Sequence, residues 1–110
     1  MARPSYLIFS LAFGALFLSG CKTNWQYALP TAQTVARAGA ARGTDVETLA
    51  RGRKVFATSC TECHVARPIA KYSIEQWRRN IAIMAPRARL KPAQRAALEA
   101  YLRAARESLP

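Results

Sequence analysis

Cys60-Thr61-Glu62-Cys63-His64 is the stretch on which the reading of this chain turns. Two cysteines separated by two residues, with a histidine directly after the second, form the attachment signature for c-type haem. The spacing has a physical reason. On a helical turn, positions i, i+3 and i+4 share one face. Two thiols then stand where they can add to the two vinyl groups of one porphyrin, and the adjacent imidazole points at the iron. Other uses of these residues fit the rest of the chain less well. A structural zinc site needs four ligands, yet outside the motif there is one further cysteine, Cys21, and no further histidine. A thioredoxin-like pair wants a βαβ context, and no segment alternates like a strand. A Cys60–Cys63 disulfide stays open as a reading, but it leaves His64 without a purpose.

Working toward the N-terminus, residues 1–20 read as a signal peptide rather than as part of the fold. Arg3 gives a short positive start, and Tyr6 to Leu18 is an apolar run too short for a comfortable membrane span. The run ends in Leu18-Ser19-Gly20-Cys21, which resembles a bacterial lipobox. That resemblance implies cleavage before Cys21 and lipidation of its thiol and new amino group; an ordinary signal peptide with a stray cysteine is the alternative. Several acyl chains on one residue give stable attachment, unlike a single chain. The expected location is therefore the bacterial periplasm, lipid-anchored to the membrane. By the sorting tendency of lipoproteins that this stretch resembles, lysine rather than aspartate at position 22 favours the outer membrane. Residues 21–44 read as the lipidated N-terminus and a linker, with Pro30, Gly39 and Gly43 among small polar residues. Trp25, Tyr27 and Leu29 interrupt it, either packing on the domain or lying at the lipid surface. Val35 to Ala41 is a candidate short helix without a clear apolar face.

Residues 45–110 read as one all-α domain of about three main helices. The first is expected to start at Thr44 or Asp45, where Thr44 and Glu47 have capping-box spacing. Leu49, Gly52, Val55 and Phe56 form its stripe at helical spacing, leading into Cys60. The second is expected to start at Ser73, with Gln76 completing a capping box. Ile74, Trp77, Ile81 and Met84 share its face, and Pro86 is expected to end it. The third begins at Pro92, a favoured first helical position. Leu98, Tyr101, Leu102 and Ala105 point inward, and Glu99 pairs with Arg103 on the outside. Lys91 is a poor cap.

With these residues in place, the domain resembles a small class I cytochrome c over residues 45–107. The resemblance rests on Cys60, Cys63 and His64, and more softly on Gly52 and Phe56 set against Leu98 and Tyr101. In that family a glycine lets the helix before the motif cross the C-terminal helix closely. The resemblance implies one covalent haem c, built into the core. Cys60 and Cys63 would be its thioether links and His64 its proximal iron ligand. Met84, the one methionine left after signal removal, is the candidate distal ligand; a core filler with five-coordinate iron is the alternative. His64 needs an acceptor for its other ring nitrogen, expected in a backbone carbonyl near Pro68. Trp77 is expected either to pack on the haem edge or to donate its indole N–H to a propionate. Tyr72 and Arg67 are further haem-contact candidates, with Arg78, Arg79, Arg87 and Arg89 beside Arg67 for the propionates.

The implied function is single-electron transfer between periplasmic redox partners, and not catalysis. Two alternatives stand beside it: the haem-bearing subunit of a larger oxidoreductase complex, and a haem-based gas sensor. Charge narrows the partner. Arg3 is the only charged residue before Cys21, so residues 21–110 carry 16 basic and 6 acidic side chains, a net +10. Two ionised propionates lower this by about two. Such a surface steers toward acidic partners. A redox protein with an acidic docking face is expected. Nucleic acid is not, because an exported, anchored protein rarely meets it.

Overall fold

The computed structural model describes residues 29–110 of the chain, so the expected signal peptide and Cys21 lie outside the described residues. Four α-helices carry the fold: α1 (Ala36–Ala40), α2 (Val46–Ala57), α3 (Ile74–Arg87) and α4 (Pro92–Glu107). Two 3-10 turns, Ser59–Thr61 and Ile69–Lys71, lie between α2 and α3. The described residues contain no strand, in keeping with the all-α expectation.

The principal packing is α2 against α4. Leu49, Gly52, Val55 and Phe56 are all buried on α2, and Leu98, Tyr101, Leu102 and Ala105 on α4. These are the stripes that the periodicity indicated. Gly52 sets the approach: a β-carbon there would run into the backbone carbonyl of Ala97 and stand 2.6 Å from Tyr101 Cβ. Each fully buried leucine or valine in this contact contributes roughly 1.5–3 kcal/mol.

The α2 start falls at one of the two expected positions, but the Thr44–Glu47 capping box does not form. Asp45, and not Thr44, caps α2: its carboxylate accepts from Thr48 N–H at 2.7 Å and from the Thr48 hydroxyl. The Thr44 N–H is already committed to the Gly39 carbonyl at 2.9 Å, and Glu47 pairs with Arg51 instead of reaching back. Those bonds from Thr48 hold the Asp45 carboxyl below its usual range. The α3 start is as expected, with both halves of the Ser73–Gln76 capping box formed. At α4 the Gln94 side-chain carbonyl accepts from Lys91 N–H at 2.8 Å. A lysine side chain has no acceptor, so only that half of a box exists.

Two further expectations are corrected. Pro86 does not end α3; the helix runs through it to Arg87. Pro86 offers no N–H to the Ala82 carbonyl, but the buried Ala85 keeps the last turn on the core. The helix stops in a Schellman arrangement: Arg89 takes φ 54°, its N–H bonds Pro86 O at 3.1 Å, and Leu90 N–H bonds Ala85 O at 3.0 Å. On α4, Glu99 pairs with Arg95 at 3.0 Å rather than with Arg103. An exposed helix ion pair of either kind is worth only a few tenths of a kcal/mol.

The segment read as a linker is docked from Leu29 onward. Leu29, Ala32 and Val35 are buried in the core, and the Tyr101 hydroxyl donates to Pro30 O at 2.7 Å. The described fold therefore begins well before residue 45. Trp25 and Tyr27 lie outside the described residues.

Candidate cofactor site

Threonines shape the end of α2 and with it the motif. Thr58 hydroxyl donates to Lys54 O at 2.7 Å, and Thr61 hydroxyl to Ala57 O at 3.0 Å and Thr58 O at 2.8 Å. The Lys54 and Ala57 carbonyls accept in this way, and the chain tightens into the Ser59–Thr61 turn. Cys60 sits in that turn, and Cys63 and His64 in the bend that follows. The motif thus rides on a 3-10 turn and bend rather than on α-helix. Residues three apart eclipse in such a turn.

Cys60, Cys63 and His64 line one cavity of about 660 Å³, and Met84 lines it from α3. This volume falls inside the roughly 300–1,000 Å³ typical of ligand and cofactor sites. The wall is mostly apolar: Phe56 from α2, Trp77, Ile81 and Ala85 from α3, Leu98 and Leu102 from α4. Cys60 is half-buried and burial pushes its thiol up; Cys63 and His64 are exposed at the mouth. Both thiols are free in this structure. His64 Nδ1 lies 2.9 Å from the Val65 carbonyl. With Nδ1 as donor, Nε2 is the nitrogen left to accept a metal. The acceptor is the next residue's carbonyl, not one near Pro68. Met84 is 40% exposed, so it is not simply a core filler of α3.

Trp77 lines the cavity but does not offer its N–H to it. The indole donates to Ile69 O at 2.9 Å, which corrects the propionate alternative and leaves the packing one. Its ring meets Phe56 and Tyr72 edge-on, with centroids 5.7 Å and 5.1 Å away. Tyr72 lines the cavity beside it, and Arg106 Nε donates to the Tyr72 carbonyl at 3.1 Å, tying this loop to α4.

The arginine candidates divide. Arg67, Arg87 and Arg89 line the cavity; Arg78 and Arg79 line a separate shallow cleft with Glu75, Arg95 and Glu99. Among the described residues, the ion pairs are Arg42–Glu107, Arg51–Glu47 and Arg95–Glu99, none of which uses the three cavity arginines. The one carboxylate on the lining is Glu62. An apolar hollow rimmed by three guanidiniums suits a flat apolar molecule carrying acidic groups. Asn80 also lines the cavity and was missed in the sequence. Its signal was its spacing, three residues after Trp77 and four before Met84.

No group of three or more histidine, cysteine, aspartate or glutamate side chains able to hold a metal ion by themselves occurs among the described residues. Family models, curated proteins and solved structures, each compared with this chain, give no match.

Proposed function

We propose that this chain is a c-type cytochrome of the small class I kind, anchored by lipid at Cys21 on the exported side of a bacterial membrane, that passes single electrons between redox partners. The observation that carries the reading is the convergence of both motif thiols, the motif imidazole and Met84 on one mostly apolar cavity of about 660 Å³. The residues fit the group. Cys60 and Cys63 would hold haem c through sulfur, His64 would ligate its iron, and Met84 would be the second protein ligand. When bound, the group supplies an iron centre that takes up and gives back one electron.

The chain's own residues do the rest. The Val65 carbonyl orients the His64 ring through Nδ1. Phe56, Trp77 and Leu98 give the interior of the site an apolar wall. Arg67, Arg87 and Arg89 offer donors to the acidic edge of the ligand. A thioether ligand is soft and neutral and raises the potential. The basic surface steers an acidic partner, so the rate of exchange with such a partner falls as ionic strength rises.

Mass analysis and a visible spectrum of the protein, matured alongside a haem-attachment system, test this together. The expected result is one macrocycle added per chain and a six-coordinate low-spin spectrum in both oxidation states. Met84→Ala removes the ferric sulfur–iron charge-transfer band. An exported product with no added macrocycle ends the proposal. The 40% exposure of Met84 favours one second reading, a gas-binding module; rapid CO uptake by the ferrous protein with Met84 still ligated in its absence would select it.

A further inference from the structure

The segment between Cys21 and α2 is the part of the molecule that the cofactor does not explain. From Leu29 on it is a strap on the bundle. Leu29 and Val35 are 9% and 0% exposed. Gly39 lies so close to α2 that a β-carbon would stand 2.6 Å from Leu49 Cδ1. Arg42 pairs with Glu107 at 2.8 Å across 65 residues of sequence. No residue between 29 and 44 lines the cavity. On α4 the strap meets Tyr101 through Pro30, whereas Leu98 and Leu102 face the cavity. Strap and cavity therefore occupy different flanks of α4.

Docking shortens the tether. Eight residue steps separate Cys21 from Leu29, and fully extended chain gives at most about 3.6 Å per step, hence a limit of about 29 Å whatever its conformation. A tether free as far as Asp45 would have a limit of about 86 Å. We infer that the docked strap holds the domain close to its own bilayer with the cavity clear, so that its electron-exchange partner is a protein presenting its redox centre at that same membrane surface. This rests on the lipid anchor proposed above, and the two can fail separately.

Three measurements decide it. Intact mass at Cys21 tests the anchor alone; an unacylated Cys21 removes the basis of the inference. Trypsin treatment of the water-soluble haem-loaded chain beginning at Lys22 tests the strap without lipid. Cleavage after Arg37 and Arg42 is expected to be at least tenfold slower than in the denatured chain, and cleavage at the denatured rate overturns the inference. Neutron reflectometry of the acylated protein on neutral phosphatidylcholine bilayers at high salt tests reach. The near edge of the protein layer is expected within about 29 Å of the headgroups. Inserting sixteen Gly/Ser residues after Lys22 leaves the strap intact, and the layer should then spread outward up to threefold. A native layer already that diffuse, or one that the insertion leaves unchanged, overturns the inference.

Discussion

At Gly52 one absent methyl group sets how near two helices come. A β-carbon would meet the Ala97 carbonyl and Tyr101 Cβ, and backbone cannot swing aside as a flexible side chain does. Alanine is favoured over glycine in a helix by up to about 1 kcal/mol. Overpacking a tight contact costs about 1–3 kcal/mol, occasionally more. Gly52→Ala should therefore destabilise by about 2 kcal/mol in a urea melt; a neutral or stabilised variant would show that α2 and α4 do not approach this closely. Tyr101, on the other side of that contact, makes a pH prediction. Burial pushes its hydroxyl up to about 12, above the ordinary value near 10. Above pH 10 the unfolded chain loses this proton while the folded chain keeps it, so stability falls as pH rises from 10 to 12. The contribution is fully present below pH 10. Tyr101→Phe should flatten that part of the pH–stability curve, and an unchanged slope would refute the assignment. At this scale the sequence revealed Gly52, Phe56, Leu98 and Tyr101, because helical spacing alone puts them in stripes. It did not reveal that Trp77 spends its N–H on Ile69 O, because a separate 3-10 turn brings that carbonyl to it.

Among the elements, what could be read in advance was local. Ser73 and Gln76 sit three residues apart and satisfy each other, so α3 starts where its sequence says. Thr44 and Glu47 have the same spacing and fail, because Thr44 N–H closes the turn after α1 and Asp45 is the better acceptor. The segment from Leu29 departs from a free linker for a related reason. Leu29, Ala32 and Val35 are buried by contacts far along the chain, and Pro30, Thr31, Gln33 and Thr34 around them leave the segment without a long apolar stripe. Pro86 is the sharpest case, because its backbone restrictions argue for a break while the burial of Ala85 and the closing bonds of Arg89 and Leu90 keep the turn helical. The helix loses one bond to the Ala82 carbonyl by this. Interior proline costs about 3 kcal/mol against alanine, less in a last turn, and its stiffening of the unfolded chain offsets up to about 1 kcal/mol. Pro86→Ala should thus raise the thermal midpoint, by about 1 kcal/mol in free energy. A lowered midpoint would mean that proline holds the corner into α4 rather than straining it.

The whole molecule is small for the hollow it contains. A domain of this size has roughly 4–12 kcal/mol of net stability at about 0.05–0.15 kcal/mol per residue. The hollow of about 660 Å³ is mostly apolar and open at its mouth, so apolar wall that a filled core would bury stays within reach of water. Much of its apolar wall comes from the inward stripes of α2, α3 and α4: Phe56, Trp77, Ile81, Leu98 and Leu102. On the proposed reading, the bound porphyrin is the rest of the core, and folding is coupled to its attachment. The double variant Cys60→Ala, Cys63→Ala, purified free of haem, should then lose cooperative thermal unfolding while keeping part of its helical circular dichroism, as expected when secondary structure outlasts packing. The strap gives a control within the same molecule. Its contacts with Tyr101, Leu49 and Glu107 lie away from the cavity, so they add stability with or without the group. If those contacts and the α2–α4 crossing alone suffice, the variant melts sharply near the temperature of the loaded protein, and the porphyrin is a passenger in the fold rather than part of its core.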